Sequence, residues 1–458
     1  MTFTSWKRIA GIMLCLMLSA ETALSQAHDP GPRSGASAGG PIPGLTPDQL
    51  NLFYEGASRF AAVEKVIDGL GPRMNFISCS GCHAYPAIGG SGPKMNPQYQ
   101  YATGPDHGTN TVPYFLTADG PTREVRFKKT AKGTPDGGVH DIFTIAGMSG
   151  VPSSCTIAQP DFSNKSNIIF RIPTPVFGGG LMEQIRDTEI LANLQNEAST
   201  KVRMQIRGKL NVVVSGNTHT QQSRIMGESN NNGNDGTIAR FGWKAQNKSL
   251  LIFAGEAYNV EMGISNELFQ TEREEGCILA TPVTTPNDGT NPPDSTKPLA
   301  ILSDTELFAA FMRFLAPPTP SDTEPGGASS ITKGKALFSQ VGCNLCHTPT
   351  LMTDPSSRIA ALAGKPANLY SDLAVHQMGK NLDDGISQGQ AVGNEFRTAP
   401  LWGLGQRLFF LHDGRTSDLV VAIKEHKGSK SEANGVIKQY ERLQQSDRQD
   451  LLNFLRSL

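Results

Sequence analysis

Two stretches, CSGCH at Cys79–His83 and CNLCH at Cys343–His347, repeat one five-residue pattern and use four of the chain's seven cysteines. Three chemistries employ paired cysteines at this spacing. Two Cys-x-x-Cys pairs brought together hold a structural zinc, leaving the following histidine idle. A thioredoxin-type redox pair belongs to a strand–helix–strand setting. Covalent haem attachment needs two thiols that add across two vinyl groups, with an imidazole adjacent so that its nitrogen meets the iron from the same face. Only the third uses the histidine. Neither the Gly-rich loop after His83 nor the helical run before Cys343 resembles a redox-pair setting. The pattern predicts two covalently bound c-type haems, attached at Cys79, Cys82, Cys343 and Cys346, with His83 and His347 as iron ligands.

The compartment agrees with that reading. Lys7 and Arg8 precede the apolar run Ile9–Ala20, and small residues follow at Ala23, Ser25 and Ala27. This order describes a secretory signal peptide over residues 1–27, too short to span a bilayer, and no later run is long enough to do so. A periplasmic location is expected. Cys15 leaves with the signal, so six cysteines enter an oxidising space. For Cys155 and Cys277, which carry no motif, a disulfide is the expectation and two buried free thiols the alternative. The 41 basic and 42 acidic residues leave a formal charge of −1, which argues against nucleic acid and anionic membrane surfaces as partners.

At 458 residues the chain is long enough for two or three domains. Residues 28–45 are rich in Gly, Pro and Ser and read as a flexible lead-in. A helix should begin at the capping box of Thr46 and Gln49, with Pro47 at its first position. Residues 46–300 then form an N-terminal haem domain. Its β-rich insert is signalled by alternating β-branched, aromatic and polar residues between Thr109 and Met148, and by a short strand pattern at 209–216. Helical spacing returns at Gly180–Gln195 and after a capping box of Ser303 and Glu306. Residues 301–330 read as a helix and linker, and 281–298 as a second linker. The C-terminal haem domain, 331–458, runs by a helix into Cys343 and closes on one capped by Ser446 and Gln449, with apolar residues at Leu451, Leu452, Phe454, Leu455 and Leu458. The expected fold is mainly α: two cytochrome-c-like haem domains with inserted β-hairpins and long loops.

With both motifs far apart, the stretch from Phe396 (FRTAPLWGLGQRLFFLHDGRTSDLVVAIKEH) and the terminal DLLNFLRSL resemble the bacterial di-haem cytochrome c peroxidase superfamily. The stretches from Arg240 (RFGWKAQNKSLLIFAGEAYNVEMGISNELF) and Tyr370 (YSDLAVHQMGKNLDDGIS) are more similar to its di-haem oxidoreductase branch, sometimes labelled thiol oxidoreductases. The resemblance implies a peroxidase-like enzyme that passes electrons from the C-terminal haem to a reactive N-terminal haem. Its partners would be a small periplasmic donor, a cytochrome c or cupredoxin, and hydrogen peroxide. In the superfamily an aromatic-His-Asp-Gly motif precedes, by fourteen residues from its His, the distal ligand of the C-terminal haem. Here His412-Asp413-Gly414 leads to His426, with His376 or Met378 as the next candidates. FRIPTPVFGGGLMEQI, from Phe170, resembles the stretch whose carboxylate serves the peroxidatic haem, which assigns the acid/base role to Glu183. His107 and His140 are candidates for a pocket base or a displaceable ligand, and Trp243 for an electron relay between the haems. The same scaffold also serves non-catalytic electron carriers, oxygenases and enzymes that oxidise other proteins. The superfamily's inter-haem calcium uses carbonyls of a Thr-x-Pro before the His-Asp-Gly motif, whereas this chain has Gln406–Phe410 there, a departure that counts against calcium.

Overall fold

The computed structural model describes residues 26–34, 37–135, 138–212, 238–269, 277 and 302–458. The signal segment to residue 25 and the linker at 281–298 lie outside them, as does the strand pattern beyond Val212.

Helix Pro47–Phe60 opens on the Thr46–Gln49 capping box, and helix Asp304–Phe314 on the Ser303–Glu306 box. Both ends are signalled locally, because a capping box satisfies orphan backbone N–H groups within one turn. The two helices pack against each other. They can do so closely because a Cβ on Gly56 would collide with the Leu307 carbonyl and Phe311. The C-terminal part repeats this device. Helix Ala328–Val341 packs against helix Gln445–Ser457, and a Cβ on Gly334 would strike the Asp450 carbonyl and Phe454. A glycine inside a helix costs about 1 kcal/mol against alanine. Each is retained where backbones must approach. Around the first pair, Phe53, Phe60, Tyr258, Phe308 and Phe311 are buried in one core cluster. Phe338, Leu452, Phe454 and Leu455 are buried in a second cluster around the other pair.

The sheets are small. β1 (Arg73–Met74) pairs antiparallel with β4 (Phe143–Thr144), while β2 (Glu124–Phe127) is flanked by β3 (Val139–His140) and β5 (Ile168–Arg171). Only part of Thr109–Met148 is therefore strand. The helical run Gly180–Gln195 is two helices, Gly179–Glu183 and Asp187–Gln195. Between them Ile185 forms a β-bridge to Thr353, and its carbonyl accepts a bond from the buried Arg240 guanidinium. Helix Gln445–Ser457 starts with Gln444 as its N-cap, ahead of the expected Ser446. Gln449 is turned outward and exchanges hydrogen bonds of 3.0 and 3.1 Å with the His28 backbone.

That last contact is one of several made by the described residues of the segment expected to be a flexible lead-in. Asp29 accepts bonds from Arg456 Nε and Nη2 at 2.7 and 2.6 Å and from Leu419 N–H at 2.8 Å. Arg33 N–H donates to the Gly405 carbonyl, Ile42 N–H to that of Phe314, and Ala316 N–H to that of Gly40. The linker Pro317–Ser329 is held in the same way, with Thr319 N–H on the Ser37 carbonyl and Ser321 N–H on that of Ser457. Proline and glycine composition reports that a segment will not form regular ladders, not that it lacks partners. Cys155 and Cys277 form a disulfide, with Cα atoms 5.2 Å apart. Among the described residues no helix is long and apolar enough to cross a membrane.

The Arg456 side chain is fully buried and Asp29 is its carboxylate partner. Removing one member of such a pair leaves a buried, uncompensated charge. Asp29→Asn should cost about 3 kcal/mol of stability, read as a lower guanidinium chloride midpoint, and should expose residues 26–42 to protease. An unchanged midpoint would show that the strap carries no stability.

Candidate functional site

In each Cys-x-x-Cys-His turn the histidine N–H donates to the carbonyl of the first cysteine, at 3.0 Å in Cys79–His83 and 2.9 Å in Cys343–His347. This bond folds the five residues into one turn, which brings two sulfurs and an imidazole to one wall. Ser78 caps the first turn by accepting from Gly81 N–H. Helix Ala328–Val341 delivers the chain to the second. A phenylalanine stands beside each imidazole: Phe60 lies 5.9 Å from His83 and Phe338 6.4 Å from His347, measured between ring centroids.

Each turn lines its own cavity, of about 1260 Å³ for the first and 1340 Å³ for the second, open solvent at the mouths included. Cys79 and Cys82 line one cavity and Cys343 and Cys346 the other, so the pairs do not combine into a single four-cysteine site. All four sulfurs are free of disulfides. Burial pushes the Cys79 and Cys343 thiols up to about 12 and Cys82 well above its ordinary value, opposite to the lowered pKa of a reactive thiolate. Two thiols and one imidazole on the wall of a large cavity fit a covalently attached haem. They do not fit a zinc cluster or a redox dithiol.

The histidines are set for ligation by their hydrogen bonds. His83 Nδ1 lies 2.9 Å from the Gly90 carbonyl, His347 Nδ1 2.9 Å from that of Tyr370, and His426 Nδ1 2.8 Å from that of Ala422. A carbonyl only accepts, so Nδ1 carries the proton and Nε2 keeps its lone pair for a metal. Burial lowers all three pKa values, His83 and His347 to about 4, which keeps the rings neutral. His426, at the C-cap of helix Leu419–Glu425, lines the same cavity as His347. The two predicted partners are therefore brought together.

The remaining candidates separate clearly. His376 lines the second cavity, but Nδ1 is 2.8 Å from Glu432 and Nε2 2.9 Å from Asp372, so both nitrogens are committed. Burial alone would lower its pKa, yet the Cys346 sulfur and Asp372 beside it hold it well above the ordinary value. Cys346, Asp372 and His376 are the only three such side chains close enough to share a metal ion among the described residues, and the imidazole donates its two N–H groups to Asp372 and Glu432, which leaves no lone pair for a metal. Met378 also lines this cavity. His107 bonds the Asn110 carbonyl and lines neither cavity. His140 is placed only as a residue of β3.

Glu183 sits in an ion pair away from the first cavity. Its carboxylate is buried, accepts from Arg313 Nε at 2.7 Å and from Leu250 N–H at 2.8 Å, and does not line the cavity beside Cys79 and His83. It secures the start of helix Leu250–Met262 to helix Asp304–Phe314. A local motif names a carboxylate, but the side chain takes the nearest buried cation. The carboxylates that line the first cavity are Glu124, Glu256 and Glu261, in the company of Arg123, Arg126 and Arg171. His83 is its only histidine among the described residues.

Trp243 lines both cavities and a smaller third one, of about 570 Å³, between them. Its Nε1–H donates to the Ile172 carbonyl at 2.9 Å, and its own carbonyl accepts from Arg397 N–H at 2.9 Å. The His-Asp-Gly motif lies at the same joint. His412 stacks on Phe396, its carbonyl accepts from Ile172 N–H, and the Asp413 carbonyl accepts from Arg123 Nε at 3.1 Å. Sequence reasoning missed Arg397 and Arg407, which also line this junction, because no local pattern distinguishes them from surface arginines.

Replacing Glu183 with Gln should cost about 3 kcal/mol through the stranded Arg313 while leaving haem spectra unchanged; a spectral change without destabilisation would restore a haem-side role. Glu432 tests the neighbouring clamp. Burial raises its pKa, but the His376 bond and the amides of Arg207 and Gly208 outweigh this and hold it at about 2. Because that is below the ordinary value of about 4.3, its contribution is complete above that pH and is lost as pH falls through about 2. Glu432→Gln should therefore lower stability by about 2 kcal/mol at pH 7, and the gap to wild type in chemical denaturation should close in acid.

Residues 145–458 match the family described as "Di-haem oxidoreductase, putative peroxidase". The match includes the second Cys-x-x-Cys-His turn, His426 and Trp243, and begins after the first turn. No curated protein matches the chain. Similar solved structures include hydrazine synthase of Kuenenia stuttgartiensis, at 16% identity over 45% of this chain and 61% of that one, TM-score 0.25. The diheme peroxidase BthA of Burkholderia thailandensis aligns at 16% identity over 48% and 65%, TM-score 0.30. A single-substitution variant of it aligns at 13% over 94% and 91%, TM-score 0.37. The chain thus spans less than two thirds of the hydrazine synthase and BthA chains in their shorter alignments. At these TM-scores the family match alone carries the assignment. More than two thirds of the sequence lies inside that match, and this chain belongs to the di-haem oxidoreductase family.

Proposed function

We propose that this protein is a periplasmic di-haem c-type oxidoreductase of peroxidase type, with one haem domain around each Cys-x-x-Cys-His turn. When bound, the haems would supply one-electron redox chemistry and an iron able to meet an oxidant. The observation that carries the reading is an asymmetry. The second cavity is lined by His347 and His426, whose Nδ1 atoms are each held by a backbone carbonyl so that Nε2 keeps its lone pair, whereas the first is lined by His83 alone among the described residues. Two imidazoles suit an electron-transfer centre of lower potential than His/Met ligation, and a single one leaves a coordination position for an oxidant.

The chain's own residues divide the work accordingly. Cys79, Cys82 and His83 hold the reactive group, and Cys343, Cys346, His347 and His426 the electron-entry group. Trp243, on the wall of both cavities, is the side chain placed to couple them. Proton transfer to an oxidant such as hydrogen peroxide falls to the carboxylates lining the first cavity rather than to Glu183. A small periplasmic cytochrome or cupredoxin is the proposed donor. Calcium is not assigned.

EPR and visible spectra of the purified protein, with and without peroxide and after partial reduction, test this. One high-spin and one low-spin haem are expected, the high-spin signal alone responding to peroxide. His426→Met should alter only the low-spin signal, and Trp243→Phe should slow electron transfer between the haems by tenfold or more. Two low-spin haems indifferent to peroxide would leave an electron carrier instead.

A further inference from the structure

Several buried cations among the described residues have carboxylate partners, although Lys201 donates only to the carbonyls of Asn193 and Leu194. Arg171 and Lys244 are paired with Asp384, Arg240 with Asp187, Arg456 with Asp29, and Arg59 with Glu64 and Asp304. Arg397 and Arg407 depart from this pattern. Both line the second haem cavity and the smaller cavity beside Trp243. Arg397 is 7% exposed and donates only to the carbonyls of Gly242 and Thr398, at 2.9 and 3.0 Å. Arg407 has a buried Nε with no hydrogen-bond partner, and its guanidinium carbon lies 5.9 Å from the Trp243 ring centroid. Among the described residues no carboxylate forms an ion pair with either.

The nearest candidate, Asp372, raises the Arg397 pKa electrostatically but is engaged by His376 and by Ala374 N–H. Burial pushes both guanidinium groups down to about 10, and the charge on Arg407 adds to this at Arg397. Two like charges buried side by side are costly unless an anion joins them. A planar guanidinium fork suits a carboxylate, which it can bind through two parallel bonds. The rest of the second cavity wall is largely apolar, with Phe338, Leu404, Phe410, Leu419 and Leu455, so the anion should be one end of an otherwise apolar ligand.

We propose that Arg397 and Arg407 form the carboxylate site of the second cavity and hold the propionates of the haem attached at Cys343 and Cys346. This rests on the di-haem reading above. In this position the arginines neutralise the haem's acidic edge and set the potential of the His347/His426 centre, because a nearby positive charge favours the reduced, more electron-rich iron. They are positioning residues rather than catalytic ones.

The test is spectroelectrochemical titration of the low-spin haem in the full di-haem protein. Arg407→Met should shift the reduction equilibrium at least tenfold toward the oxidised form, a fall of 59 mV or more for one electron, with the low-spin spectrum retained. Arg407→Lys, which keeps the charge, should recover most of the shift. Arg407→Gln serves with the same expectation if the Met variant does not accumulate. A potential unchanged in the neutral variants overturns the proposal. So does a saturable effect of added benzoate on the wild-type potential, which would make this a site for a diffusible carboxylate. A wild-type protein without covalent haem overturns the functional reading itself and this one with it.

Discussion

An imidazole can ligate iron only through a nitrogen that carries no proton, and the structure imposes that condition three times with the same device. At His83, His347 and His426 a backbone carbonyl takes the Nδ1 proton, which fixes both tautomer and ring orientation. The device depends on the fold around it. The Tyr370 and Gly90 carbonyls come from loops that follow their attachment turns, and the Ala422 carbonyl comes from the turn of helix just before His426. Burial adds to the effect by disfavouring the charged ring.

The same architecture is built twice. In each half two helices cross at a glycine, with a phenylalanine of one helix over the crossing and another phenylalanine beside the histidine of the Cys-x-x-Cys-His turn. The repetition explains why the two cavities are of similar size. What distinguishes them is their lining: three arginines, three glutamates and, among the described residues, the one histidine His83 in the first, and in the second mostly apolar residues with His347, His376, His412, His426, Arg397 and Arg407. Between them the chain places an aromatic wall and the His-Asp-Gly turn, joined to the first half by the Ile172–His412 and Arg123–Asp413 bonds. Trp243 is where the two cavities share a surface.

Legibility in the sequence tracks the range of the interaction concerned. The attachment turns, the capping boxes at Thr46 and Ser303 and the buried face of the last helix were readable, because each is complete within a few residues. His426 was reached through spacing from His412 by family resemblance, and its ring proves to line the predicted cavity. The ion pair of Glu183 was not readable, because its partner, Arg313, is 130 residues away and nothing in the local motif announces it. The partner of Asp29 is equally remote, since Arg456 lies 427 residues further on.

By itself, then, the sequence determined the two motifs, each placing two sulfurs and a histidine at fixed spacing, on a chain of balanced charge. Only the tertiary structure decided which further side chains meet each cavity. It set His426 on one and left His83 as the only histidine on the other among the described residues, drew Glu183 into an ion pair, and brought Trp243, Arg397 and Arg407 to the junction. The physical reason is that covalent spacing is a property of the backbone, whereas burial and charge pairing depend on residues far apart in the chain.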